Sequence, residues 1–243
     1  MTEPRLPELP VRRLVLWRHG QTEWNAIGRF QGQSDPPLND HGRAQADRAA
    51  AQLAAALAGE DAVIVSSDLI RTVDTAAPLA ARLGVAPVVD PRLREHSLGC
   101  WEGLTREEVA DRYPEQYGDW IAGRPVRGRG GEDPGEVGPR AAAALADLPA
   151  ASTAVVVTHG GTAGRLLERL LQLGPQHRRI FAPLDNCAWS ELTFQHTRWR
   201  LVRHNVAAVL DGSAGDGRPV PSTARATPEA VPPPAAGDAE AAG

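Results

Sequence analysis

Three short apolar runs of strand length, Arg12–Trp17 (RRLVLW), Ala62–Ser66 (AVIVS) and Ala154–Thr158 (AVVVT), limit what this chain can become more than any other feature. Each run is followed by an Ala- and Leu-rich stretch with helix signals. Asn39–Ala58 has Asn39 or Asp40 available as N-cap, a second helix runs from a cap at Asp68 to about Leu83 and ends at Gly84, and a third spans Gly161–Leu173. Between them the sequence predicts a short strand at Ala86–Val89 and an irregular segment with a helix near Thr105–Arg112. A further helix is predicted near Pro139–Asp147, beyond a loop rich in Arg and Gly, and a closing strand pair at Ala188–Phe194 and Trp199–His204. Alternating β and α steps of this kind give an α/β, three-layer sandwich, a largely parallel sheet with helices on both faces and right-handed crossovers.

The chain has 243 residues, enough for one sizeable core, and residues 11–210 are expected to form a single catalytic domain behind a short flexible N-terminus, 1–10. From Asp211 to Gly243 the composition shifts to Ala, Gly and Pro, with two Val and no aromatic residue, so burial there cannot offset the entropy of ordering. That acidic tail, 211–243, is expected to be disordered, and it carries most of the net charge of -4. All 26 basic residues are Arg, so position and not residue type has to separate binding arginines from the rest. No basic stripe or zinc-finger spacing is present, which argues against a nucleic-acid partner. Two cysteines are too few for a disulfide framework, and no apolar run approaches the roughly 20 residues that span a bilayer. A cytoplasmic chain without a membrane contact is the expectation, and a homodimer is left open as an assembly state.

In open α/β sheets the ligand sits beyond the carboxyl ends of the strands. Here the first strand runs into Arg18-His19-Gly20, the second into Ser66-Ser67-Asp68-Leu69-Ile70-Arg71 and the third into His159-Gly160-Gly161. Two Arg and two His at one rim suit a phosphate dianion. Arg offers paired donors, Gly lets the backbone approach closely, and the helix after Gly161 presents free N–H groups and a positive dipole end. A neutral imidazole is a competent nucleophile toward phosphorus, and neighbouring Arg charge favours the neutral form; His19 is the better placed of the two. The departing alcohol needs a proton and the incoming water a base. Glu95, which follows the Ala86–Val89 run, is assigned both tasks.

Five segments in order, Arg18-His19-Gly20-Gln21-Thr22-Glu23-Trp24-Asn25, Gln31-Gly32, Ser66 to Arg71, Leu93-Arg94-Glu95 and Thr158-His159-Gly160-Gly161, resemble the histidine phosphatase superfamily across roughly Arg12 to Val209. The resemblance implies a phosphoglycerate-mutase-like fold in which His19 becomes phosphorylated while Arg18, Arg71 and His159 hold the phosphoryl group. It implies further that Asn25, Gln31, Gly32 and the Gly160 backbone line the pocket, that Glu95 is the proton donor, and that neither a metal nor a cofactor takes part. The substrate would be a small phosphorylated metabolite. The run Arg94-Glu95-His96-Ser97-Leu98-Gly99-Cys100-Trp101-Glu102-Gly103 resembles the phosphatase branch; mutases carry an Arg-Tyr-Gly run after the Glu and a longer basic insertion than the 64 positions that separate Glu95 from His159 here. Taken whole, the chain is similar to actinobacterial glucosyl-3-phosphoglycerate phosphatases. A cofactor-dependent phosphoglycerate mutase and an inactive phospho-ligand binder are the alternatives. One departure stands out: Asp133 follows Gly-Gly-Glu where the family places Ser or Thr, which puts local substrate contacts in doubt.

The remaining candidates have plainer assignments. His41 falls in a first helical turn and is expected on the surface, His96 is read as a neighbour of Glu95 without a chemical task, and His177, His196 and His204 have no usable spacing. Cys100 and Cys187 are read as packing residues, and Trp17, Trp189 and Trp199 as core, while Trp24, Trp101 and Trp120 are candidates for the cleft border. Arg124, Arg127 and Arg129 are read as a solvated loop, with contact to a second anionic group such as a substrate carboxylate as the alternative.

Overall fold

Side-chain alternation along the strands decides which helices cover which face. The structure is a computed structural model that describes residues 8–174, 177 and 180–209; the expected tail and the first seven residues lie outside the described residues. Its strands are β1 (Arg13–Arg18), β2 (Ala62–Ser66), β3 (Val88–Val89), β4 (Thr153–Thr158), β5 (Trp189–Gln195) and β6 (Arg198–Val206). Its helices are α1 (Glu23–Ala26), α2 (Asp40–Ala56), α3 (Ile70–Leu83), α4 (Arg106–Arg112), α5 (Pro114–Ile121), α6 (Pro134–Ala146) and α7 (Gly160–Leu170). The strands form one sheet in the order β3-β2-β4-β1-β5-β6. Pairings β3–β2, β2–β4 and β4–β1 are parallel, while β5 adds antiparallel to β1 and β6 to β5.

Successive residues of a strand point to opposite faces. Leu14 and Leu16 of β1 and Ala154 and Val156 of β4 therefore join Ala141 and Leu145 of α6 and Leu166, Leu167 and Leu170 of α7 in one core. Val15, Trp17, Val155 and Val157 face the other way, against Ala46, Ala49, Ala50 and Leu53 of α2 and Ala76 and Leu79 of α3. Burying each large side chain stabilises the fold by about 1.5–3 kcal/mol, so the two cores hold both helical layers to the sheet. Trp17, Trp189 and Trp199 are buried as the sequence implies.

Several boundaries differ from the sequence expectation. Asp68 does not cap α3; the N-cap is Leu69, without a side-chain bond, and the Asp68 carboxylate instead accepts from Arg94 Nε at 2.8 Å and Nη2 at 2.6 Å. That ion pair holds the Asp68 pKa below the usual carboxylate range. The start of α3 is served by Asp35, whose Oδ1 accepts from the Ile70 N–H at 2.8 Å. Helix α6 begins five residues before the expected start, because Asp133 caps it through the Gly135 N–H at 2.8 Å and Pro134 takes the first-turn position assigned to Pro139. Asp133 thus does the capping work open to Ser or Thr, which accounts for the departure noted in the sequence. Helix α5 was not expected, Trp101 is fully buried, and Cys100 is exposed where a packing role had been assigned.

The loop after β1 is pressed onto α2 through two glycines. A Cβ at Gly42 would lie 2.0 Å from the Gln21 carbonyl oxygen, and one at Gly20 would lie 2.6 Å from the Gly42 oxygen. Gly42→Ala is therefore expected to destabilise the fold by about 1–3 kcal/mol or more through backbone overlap. A lowered midpoint in thermal unfolding checks it; an unchanged midpoint would show that the two backbones can part without cost.

Candidate active site

The site is built where β1, β2 and β4 end. Beyond β1 the main chain at His19 is held on both sides: its N–H donates to Thr158 O at 3.0 Å, and its carbonyl accepts from the Cys187 N–H at 3.1 Å and from Asn186 Nδ2 at 3.2 Å. The next N–H, of Gly20, donates to Thr75 Oγ1 at 3.0 Å. The His19 side chain is 3% exposed, and its Nδ1 lies 2.7 Å from the Gly20 carbonyl oxygen. A carbonyl only accepts, so Nδ1 carries the proton. Burial, and after it the charges of Arg71 and Arg18, push the His19 pKa well below the ordinary value, so the ring is neutral at pH 7. Its Nε2 is left with an unshared pair.

His159 follows β4 and is fully buried, its ring centroid 5.2 Å from that of His19. Nε2 lies 3.0 Å from Ser67 Oγ, while Nδ1 has no partner among the described residues. Burial and then Arg71 push this pKa well down too. Arg71, in the first turn of α3, is fully buried and donates from Nη1 to Ser34 O at 2.7 Å and from Nη2 to Gly32 O at 2.8 Å. Burial lowers its pKa to about 10, which leaves it charged at neutral pH. Arg18 donates from Nη1 to Leu184 O at 2.6 Å, and its buried Nε has no partner among the described residues.

Glu95 lies across the N-terminus of α7. Oε2 accepts from the Gly161 N–H at 2.9 Å, and Oε1 accepts from the N–H groups of Thr162 at 3.0 Å and His96 at 2.9 Å and from the Thr162 hydroxyl at 3.2 Å. Those amides have no acceptor inside the first turn of α7, so they fix the Glu95 side chain across the helix end. The missing Cβ of Gly161 leaves room for this carboxylate, since that atom would sit 2.6 Å from Glu95 Oε1 and push the side chain aside.

The other expected pocket residues belong to the same end of the sheet through different contacts. Gly32 has φ +53° and gives its carbonyl to Arg71. Gln31 beside it is buried, with Oε1 unpartnered among the described residues. Asn25 is tied to His19 by way of Asn186, whose Nδ2 donates to Asn25 Oδ1 at 3.2 Å as well as to the His19 carbonyl. The Asn25 oxygen also closes the capping box of α1 with Thr22.

Sequence reasoning did not single out Ser67, Thr75, Asn186 or Glu102. Ser67 and Glu102 lie within the Ser66–Arg71 and Arg94–Gly103 runs already marked out, whereas Thr75 and Asn186 act across long sequence separations that no local pattern reveals. The Glu102 carboxylate gathers five donors: the N–H groups of Gln33, Ser34 and Leu98 and the hydroxyls of Ser34 and Ser97. It and Arg71 together fix the Gly32–Ser34 loop.

The rim therefore offers a neutral nitrogen with a free pair, two guanidinium groups, a second neutral imidazole and the amide end of a helix. Among the described residues no His, Cys, Asp and Glu side chains gather into a group that could hold a metal ion, and no helix is long and apolar enough to cross a membrane.

Residues 14–207 match the model of the family described as the histidine phosphatase superfamily (branch 1). The chain is 37% identical over 219 residues to a glucosyl-3-phosphoglycerate phosphatase of Mycolicibacterium vanbaalenii, covering 82% of this chain and 96% of the relative. It is 39% identical over 197 residues to a probable phosphoglycerate mutase GpmB of Yersinia pestis, covering 77% of this chain and 87% of the relative. Among solved structures, a mycobacterial glucosyl-3-phosphoglycerate phosphatase in complex with VO3 is similar at a TM-score of 0.73 and 36% identity, over 81% of this chain and 100% of the other.

Proposed function

The chain belongs to the histidine phosphatase superfamily (branch 1), and from that membership we propose that it hydrolyses a phosphomonoester of a small metabolite through a phosphohistidine at His19, without a metal, with glucosyl-3-phosphoglycerate as the substrate. The single observation that carries the mechanism is the Nδ1–H of His19 turned to the Gly20 carbonyl, which leaves Nε2 free to attack.

In the first step Nε2 forms a bond to phosphorus as the bond from phosphorus to the alcohol oxygen breaks, and Glu95 passes its proton to that oxygen. Arg18, Arg71 and His159 hold the phosphoryl oxygens, with the Gly160 backbone, Asn25, Gln31 and Gly32 around them. In the second step water attacks phosphorus, Glu95 takes its proton, inorganic phosphate leaves and His19 is restored. Electrostatic positioning of the charge on the transferring group supplies the larger share of the rate. The support from relatives is that mycobacterial glucosyl-3-phosphoglycerate phosphatase structures hold VO3 and inorganic phosphate.

Hydrolysis fits better than a mutase reaction: the run after Glu95 lacks the Arg-Tyr-Gly of mutases, and the interval to His159 has no long basic insertion that would shelter a phosphohistidine from water. Cytoplasmic action goes with this proposal, and both cysteines are free, in keeping with it. Phosphate release from glucosyl-3-phosphoglycerate is expected to proceed unchanged in the presence of EDTA, and faster than from simple sugar phosphates. Loss of activity on chelation would overturn the metal-free chemistry. Conversion of 3- to 2-phosphoglycerate that depends on a bisphosphate primer, with little free phosphate, would overturn hydrolysis.

A further inference from the structure

The loop before α6 holds a buried cation with no anion on it among the described residues. Of its three arginines, Arg124 pairs with Asp119 at 2.8 Å and Arg127 is exposed, whereas Arg129 is only 6% exposed. Its Nε is buried without a partner among the described residues, and its guanidinium carbon lies over the Trp101 ring, 5.2 Å from the centroid. Nη2 approaches His96 Nε2 at 3.3 Å, but that nitrogen also lies 2.9 Å from the Glu132 carbonyl. A carbonyl only accepts, so His96 carries its proton on Nε2 and presents no acceptor to Arg129. The nearby Glu102 carboxylate, whose charge acts on Arg129, is committed to five other donors. A guanidinium stays charged when buried, and a charge withdrawn from water without a counter-ion is costly, which makes this arrangement one to be completed by a ligand.

The position is also held still and set close to the catalytic run. Arg129 O accepts from the Cys100 N–H at 3.0 Å, and Ser97 O accepts from the Glu132 N–H at 3.2 Å. Gly99 and Gly131, both at positive φ, allow this contact; a Cβ at Gly99 would meet Arg129 O at 2.3 Å. Arg140 binds Glu132 and also donates to the Glu95 carbonyl at 3.2 Å. Arg129 is thus fixed to the Ser97–Cys100 segment that follows Glu95.

We propose that Arg129 recognises a second anionic group of the substrate, a carboxylate on the alcohol part of the phosphoester, and so sets specificity at the phosphoryl site. This rests on the phosphatase proposal above, which supplies the phosphoryl end of the same molecule. The test compares an ester that carries a carboxylate, glucosyl-3-phosphoglycerate, with one that does not, glycerol phosphate. In Arg129→Met, kcat/KM for the first is expected to fall about 10- to 100-fold, mostly in KM, the size of a lost charge-assisted pair. The second substrate should change less than about 3-fold, and Arg129→Lys should restore part of the loss. Equal losses on both esters would assign Arg129 a structural role and overturn the proposal, as would no loss on either. If the methionine variant fails to fold, the wild-type protein still decides: 3-phosphoglycerate should bind at least about 10-fold more tightly than glycerol phosphate, and equal affinity would overturn the proposal. Because that comparison reads binding, it separates a failure here from a protein that hydrolyses neither ester.

Discussion

His19→Ala is expected to abolish turnover, lowering kcat by about four or more orders of magnitude while leaving the fold close to its wild-type stability. The two halves of that expectation have different origins. On the proposed mechanism activity depends on a covalent intermediate on Nε2, and the other groups at the rim offer no equivalent atom: the His159 ring has its Nε2 occupied by Ser67 and its Nδ1 buried out of reach, and the guanidinium groups have no free pair. The arginines and the α7 amides would still bind a phosphoester, so KM should move far less than kcat. Stability depends little on the imidazole, because its one hydrogen bond is to its neighbour in sequence. The loop itself is held by backbone bonds to Thr158, Cys187 and Thr75, which the substitution keeps. Phosphate release, thermal unfolding and acid-free trapping of labelled enzyme check the three parts together. A variant with full activity, or label that stays on the protein after the substitution, would remove His19 from the mechanism.

The place of His19 was legible because a strand of six residues has one carboxyl end, and the run Leu14–Trp17 marks it without help from tertiary structure. The same holds for Arg71 and His159, each placed by β2 or β4. What lies between Glu95 and α6 was much less legible. Helix α5 has no side-chain cap and is held by the packing of Trp120 against Phe30 and Trp101, contacts that join distant parts of the chain. The start of α6 was hidden by two prolines of equal local merit, and the structure chooses Pro134 because Asp133 caps that turn. Asp68 has the composition of a cap, yet Arg94 outcompetes the helix for its carboxylate. For Arg129 the sequence favoured a solvated loop. Trp101 and the glycines at 99 and 131 bury it instead, and burial is a property of the packed lobe that no local pattern contains.

Glu95→Gln should divide substrates by their leaving group. An alcohol departs poorly without a proton, so turnover of sugar and glycerate phosphates is expected to fall by about 100- to 10,000-fold. Nitrophenolate needs no such help, and the first step with p-nitrophenyl phosphate should proceed at close to the wild-type rate. On the proposed mechanism the second step still lacks its base, since the same carboxylate would take the proton from water. The expected record is therefore a burst of about one equivalent of nitrophenolate followed by slow turnover, with the enzyme held as phosphohistidine. In the fold, a glutamine oxygen can keep the donors now on Oε1, from Thr162 and His96, while its NH2 group would face the Gly161 N–H. One lost and opposed hydrogen bond should cost about 1–3 kcal/mol, small beside the kinetic effect. If both substrates slowed equally and no burst appeared, Glu95 would be a brace for the start of α7, and the proton for the departing alcohol would have to come from another group.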